Sequence, residues 1–439
     1  MVPSPEVSPS IDATSKGDEA FRFVSIQDPG EAQSRAIQRS VRSHAVKQAL
    51  QKKRRQEQAA NQNFRTASTQ ERAVQTDPLV SSPAEAIEPV FGLGDDANFQ
   101  TFRSVFRAGV DDLALLNAVL LTTTFATSGN RLGGQSLHHQ AETFKALRRR
   151  ISDHDSTSIV STIGAILLLA GIEIRLGMRS ETEIHLTAVM TLLRSTSSER
   201  LLLTDGIKRA IFWQDLYAHL VTSTTRAVNH HTFHEMLWHR DALAPEIFVL
   251  PSGFQSRVDV LGEELTRVFE DIHALKMIRD SAVYDPEDTA SMVDMDNQQA
   301  SVQSRLCGLP GLSPLAELCR LAGYLTASLL CCKIWRLSLV PNHVSAQMLQ
   351  AGRQVDDSIW TGHFDLLAWL LYLGGALAAP GIVRKDYILL IRRQHASKLA
   401  TLIRSWSDLV AIMEQFIWSE KAISPLIQMF WEEVQSFRK

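Results

Sequence analysis

Arg35, Arg39, Arg42, Lys47, Lys52, Lys53, Arg54 and Arg55 fall in one stretch that holds no acidic residue. On a helix, Arg35, Arg39 and Arg42 share a side at i, i+4 and i+7, a spacing suited to successive phosphates along a groove. A basic zipper would continue into an apolar heptad. The following "QEQAANQNFRTASTQER" has none, so no dimer seam is expected. The four consecutive cations Lys52 to Arg55 instead resemble a monopartite nuclear import signal. Import is the preferred reading of Arg42, Lys52, Lys53, Arg54 and Arg55, with nucleic-acid contact and a plain solvated helix as alternatives.

A second group is "NHHTFHEMLWH", which carries His230, His231, His234 and His239. His230 and His234 stand at i and i+4, as two metal ligands on one helix face would. The zincin pattern places its second histidine three residues after the His-Glu pair, and here His239 comes one residue late with no third ligand to name. Asp215, beside Trp213 in an otherwise apolar segment, offers a buried carboxylate; an ion pair or interhelical hydrogen bond is the preferred reading over catalysis. Cys307, Cys319, Cys331 and Cys332 lack zinc-site spacing and read as core in a reducing compartment. A Gly-rich phosphate loop, a G-x-S-x-G elbow and an H-E-x-x-H pair are all missing. No catalytic residue, metal or cofactor is therefore expected, and the enzymatic reading would require distant titratable groups to converge in one cleft.

These residues need elements to hold them, and composition bounds what those can be. Of 439 residues, 45% are hydrophobic and 21% charged, the range of ordinary globular proteins. The net charge of −3 excludes a globally basic nucleic-acid binder, so such a role would rest on the local N-terminal cluster. Residues 1–20 are polar with prolines and serines; they read as a disordered tail and not as a secretory signal. Residues 21–64 form a basic segment, opening on the alternating "FRFVSIQDP". Residues 65–97, with Pro78, Pro83 and Pro89, have linker composition.

From 98 to 439 the pattern predicts an all-α domain, a large helical array. Asp111 or Asp112 caps a helix whose face is Leu113, Leu116, Leu120 and Thr124, and Gly129 stands where a left-handed C-terminal residue belongs. A second helix sets Phe144, Leu147 and Ile151 against an exposed Arg148-Arg149-Arg150. Ser158 to Gly177 is apolar nearly all round and should be central. Two further helices present Ile184, Ala188, Val189, Leu192 and Leu193, then Ile207, Ile211, Trp213, Leu216 and Leu220. Six acids between Asp280 and Asp296 predict an acidic surface loop, with helices resuming at Ser301. The run Ile159 to Ile172 is too short to span a membrane, and Leu366 to Val383 is interrupted by Gly374, Gly375 and Pro380, so no membrane partner is expected.

The opening "FRFVSIQDPGEAQSRAIQRSVRSHAVKQALQKKRR" resembles the N-terminal signature of many fungal proteins, through Phe21, Phe23, Val24, Pro29, Val41, Arg42, Ser43 and His44. In those relatives it precedes the fungal-specific transcription factor domain, usually found behind a binuclear zinc cluster. The helical part is similar to that domain as well. The resemblance is carried by His185, Ala188, Leu192 and Leu193, by Trp213, Asp215 and Ala218, and by the late "WLLYLGGALA". Two features depart from the family pattern. Thr187 stands where relatives often have glycine and is expected to crowd a close helix contact. No cysteine precedes Cys307, so the six-cysteine DNA-reading module has no ligands in this sequence.

The resemblance implies a nuclear, transcription-regulator-like protein acting through its helical domain. Its partners would be proteins of the transcription machinery or a DNA-binding regulator, with direct DNA contact and a small-molecule effector as further options. The motif residues His44, His185, Trp213 and Asp215 would be structural or regulatory. The rival reading is an interaction scaffold that kept the helical domain without regulating genes.

Overall fold

The computed structural model describes residues 111–152, 159–195, 203–282, 284, 289–331 and 339–437, and every regular element among them is helical. The all-α expectation holds there. The tail, the basic segment and the linker lie outside the described residues, as do Arg42, His44, Lys52, Lys53, Arg54 and Arg55. All described residues belong to the unit Pro78–Lys439.

Helix α1, Leu113–Thr127, starts where a carboxylate satisfies its first amides: Asp112 accepts the Leu115 N–H at 3.0 Å. The same carboxylate accepts the Ser161 hydroxyl at 2.5 Å and pairs with Arg150. One capping residue thereby ties α1 to α2, Gly134–Ser152, and to α3, Ile159–Leu176. Burial by itself would raise the Asp112 carboxyl, but the bonds from Leu115, Ser161 and Arg150 outweigh it and hold the pKa below the ordinary value. Arg150 is therefore not part of an exposed basic run; only Arg148 and Arg149 are exposed. At the other end Gly129, at φ +68°, lets its own N–H reach Ala126 and that of Asn130 reach Phe125, closing the helix in a Schellman turn.

The buried face of α1 is Ala114, Leu115, Ala118, Val119, Leu121, Thr122 and Phe125, whereas Leu113 is 52% exposed. The predicted stripe was one of several that an almost wholly apolar helix offers. Ala114 and Ala118 decide the matter, because small residues at i and i+4 let a neighbouring helix come close.

Helix α3 is central, packed by α1, by α4 (Arg179–Ser195) and by α5 (Asp205–Thr222). It is long and apolar enough to cross a membrane by length and composition, but 72% of it is buried within the protein. Its span agrees with the expected Ser158 to Gly177, and Glu173, the charge within it, is itself buried and partnered. On α4 the inward residues are Thr182, Leu186 and Val189, and Ile184 is 66% exposed. Helix α5 buries nearly every side chain, including Ile207, Ile211, Trp213, Leu216 and Leu220.

After α5 the chain runs through short turns and two single-turn helices, α6 (Ser252–Gln255) and α7 (Val258–Leu261), before α8 (Glu263–Asp280) and α9 (Thr289–Gly308). Helix α9 begins twelve positions before the predicted restart at Ser301. The acidic stretch is accordingly not a surface loop throughout. Its last member, Asp296, lies on α9 and is buried.

The remaining elements are α10 (Pro314–Cys331), α11 (Leu339–Gln354), α12 (Phe364–Leu377), α13 (Ile382–Leu389) with a π turn at Leu390–Gln394, α14 (Ala396–Ala400), α15 (Trp406–Met413) and α16 (Ser424–Ser436). Helix α12 stops before Pro380 and lies in the core. Trp369 stacks on Phe416 at 5.2 Å and meets Phe254 edge-on at 5.4 Å. Gly374 and Gly375 permit close approach: a Cβ on the first would stand 2.4 Å from the Tyr387 hydroxyl, and on the second 2.1 Å from the Phe430 ring. One large apolar core connects Ala114 to Val434, beside a smaller cluster of Ala170, Ile174, Leu186 and Ala218.

Candidate functional site

The motif residues sit on α4 and α5, and each is held by a different partner. On α5 the Asp215 carboxylate accepts Arg226 Nε–H at 2.7 Å and the backbone amides of Ala227 at 2.9 Å and Val228 at 3.3 Å. Arg226 also donates to the Val228 carbonyl and lies over the Phe212 ring. The effect is to fold the segment after α5 back along the helix. This turn is possible because Ser223 adopts the left-handed conformation at φ 57° and ends α5 abruptly.

Two residues earlier, Trp213 donates its indole N–H to Asp296 at 3.2 Å, and Asp296 also pairs with Arg209. Burial pushes the Asp296 carboxyl up, against the pull of Arg209 and the Trp213 bond. Arg209 and Asn297 both donate to the Glu235 carbonyl, and Lys208 pairs with the Glu235 side chain. Sequence reasoning missed Asp296, Arg209 and Arg226. For Asp296 a signal existed: Met295, Val302 and Leu306 recur at i, i+7 and i+11, a helical spacing that continues across the acidic stretch.

His185 on α4 places Nδ1 2.5 Å from Glu173 Oε2 on α3, and its ring stacks on Phe144 of α2 at 5.8 Å. Three helices meet at this imidazole. Burial raises the Glu173 carboxyl, opposed by the hydrogen bond and charge of His185. His185, Trp213 and Asp215 are thus separate fastenings and do not form one reactive cluster.

The histidine-rich segment is not a helix face. The His230 and His231 rings lie tilted at 44° with centroids 3.8 Å apart, His234 begins a short 3-10 turn, and His239 is exposed. Burial, followed by the charges of His231, Arg305 and Arg226, pushes the His230 imidazole down to about 4. Among the described residues, no three His, Cys, Asp or Glu side chains are grouped as metal ligands. Burial holds the Cys307 and Cys319 thiols up at about 11 and about 12, so both are protonated and unreactive at neutral pH.

The back-folding of the Thr224–Ala227 segment leaves a groove of about 370 Å³ between it and α4. Its α4 wall is Glu183, Leu186, Thr187, Met190, Thr191 and Arg194, one stripe at helical spacing. Thr187 is exposed in this groove and crowds no helix contact, contrary to expectation. The knots at His185 and Asp215 fix the two walls.

Residues 96–241 match the fungal specific transcription factor domain. No curated protein and no solved structure matches the chain. The matched fungal specific transcription factor domain contains α1 to α5, all three described motif residues and the histidine-rich segment. It supports a transcription-regulator-like role. The apolar core does not stop at its end, since helices α6 to α16 continue the same packing.

Proposed function

We propose that this chain is a nuclear transcription regulator that acts through its helical domain, residues 98–439, by binding partner proteins or a small effector. The observation that carries this is the match of residues 96–241 to the fungal specific transcription factor domain, within which His185 ties α4 to α3, Asp215 folds the segment after α5 back along that helix, and Trp213 fastens α5 to Asp296 beyond the matched residues. Such fastenings keep a domain in one shape, which a surface that discriminates partners requires. They supply no reaction centre, and the role is read as non-enzymatic.

Residues 21–64 carry the address. Arg42 and Lys52 to Arg55 serve nuclear import, and residues 65–97 serve as linker. No cysteine precedes Cys307 in this sequence, so a six-cysteine reader cannot be assembled from its N-terminal residues; a DNA-binding partner would bring the chain to promoters.

Chromatin occupancy of the tagged full-length protein tests the proposal. Discrete promoter peaks are expected. Absence of enrichment in cells that express the protein would replace regulation with the scaffold role. Direct DNA contact by the basic cluster has its own test: changing Lys52, Lys53, Arg54 and Arg55 to Ala should shallow the salt dependence of DNA binding, and an unchanged slope would exclude contact there.

A further inference from the structure

We infer that the groove between α4 and the Thr224–Ala227 segment binds a small hydroxylated monocarboxylate. The inference rests on the reading that the helical domain takes a small effector, and it names the place and the chemical class. At about 370 Å³ the groove falls within the range of small-molecule sites.

Its lining is mostly polar. Thr187, Thr191, Thr224 and Thr225 contribute hydroxyls above an apolar floor of Leu186, Met190 and Ala227; that of Thr191 donates to the Thr187 carbonyl at 2.8 Å and offers a ligand its acceptor side. Thr224 is 2% exposed, and its hydroxyl has no hydrogen-bond partner. A buried hydroxyl left unpaired is destabilising, so a residue of this type at this place suits a ligand that completes it. The backbone around Thr224 is fixed independently, because its carbonyl accepts from His219 and the next residues are held by Asp215.

Charge selects the ligand's head. Glu183, at one end of the stripe, already pairs with Arg179 at 3.1 Å. Arg194, eleven positions on and about 16 Å along the helix axis, makes no ion pair among the described residues and is the one charge of the groove's lining without a partner. It stands in the last turn of α4, where helix carbonyls present about half a negative charge; the full guanidinium charge exceeds that and favours an anion. A carboxylate accepts the guanidinium's forked donors. The hydroxyl chain then runs along Thr191, Thr187 and Thr224, its carbon backbone against Leu186 and Met190.

The test uses purified full-length protein and sodium gluconate as probe, with sorbitol (hydroxyls without charge) and sodium hexanoate (charge without hydroxyls) at matched ionic strength. Calorimetric titration should show saturable gluconate binding, with the other two at least about tenfold weaker, as loss of charge-assisted or multiple hydrogen bonds implies. Arg194→Gln, at an exposed position, should weaken gluconate by about tenfold or more. Thr224→Val should weaken it too while leaving the thermal midpoint of the unliganded protein unchanged or higher. Failure of gluconate to bind, equal binding of sorbitol or hexanoate, or undiminished binding by Arg194→Gln would overturn the assignment. Promoter occupancy reads the regulatory proposal separately, so either can fail without the other.

Discussion

Asp296 shows at the scale of single residues how a fastening differs from a site. It is buried against Arg209 and the Trp213 indole, so Arg209→Met strands a carboxylate in the core and should cost about 3–5 kcal/mol by urea denaturation. Adding Asp296→Leu to that variant should restore most of the loss, because two apolar side chains then replace the pair. Glu173 carries a pH consequence. Its carboxyl is raised in the folded chain, so the folded state holds its proton more tightly than the unfolded state. Its stabilising contribution is full below the ordinary glutamate pKa and is lost as pH rises through the raised one. Glu173→Gln keeps an acceptor for His185 and should flatten that part of the stability profile; an unchanged profile would show that Glu173 titrates normally. Residue type drew attention to Asp215, and the family resemblance to His185, Trp213 and Asp215. Their partners were illegible, because Trp213 and Asp296 are 83 positions apart and nothing in local periodicity links them.

Among the elements, the strongest constraint lies on α12. Gly375→Ala would drive a Cβ into the Phe430 ring of α16, and with both helices in the core the expected loss is about 1–3 kcal/mol or more in chemical denaturation. The Ser345 hydroxyl donates to the Gly374 carbonyl and the Tyr387 hydroxyl to the Ser345 carbonyl, which ties α12 to α11 and α11 to α13 and restrains α12 from shifting to make room. At the other end of the domain, Asp112→Ala removes a cap worth about 1–2 kcal/mol and also leaves Arg150 without its carboxylate. A measured loss no larger than an ordinary surface substitution would refute the role of Asp112 as the tie between α1, α2 and α3. Helix positions and several ends were readable from caps and glycines. The buried face was readable on α5, where apolar positions recur cleanly, and on α4 except for the exposed Ile184, since Val189 is buried and Ala188, Leu192 and Leu193 pack against the core; it was misread on α1, where an almost wholly apolar stretch left more than one face available.

At the scale of the whole molecule, the proposed import address and the helical body can be tested apart. With Lys52, Lys53, Arg54 and Arg55 all changed to Ala, a fluorescently tagged chain should move from nucleus to cytosol, while the thermal midpoint of the helical domain stays where it was. Retained nuclear accumulation would assign import elsewhere. The sequence by itself determined that the described body is all-α, that Asp111 or Asp112 and Gly129 bound its first helix, that α3 is central, and that the chain resembles the fungal transcription factor family; residues 96–241 match that domain. These follow from local rules, since caps, glycine conformations and helical periodicity act within a turn or two of the residue concerned. Only the tertiary structure decided that Asp296 belongs to the core, that Arg150 turns inward, and that one core continues from the matched segment to Val434. It alone opened the Arg194 and Thr224 groove. Buried charges and concave surfaces depend on which distant elements meet, and that is settled by packing across the whole chain.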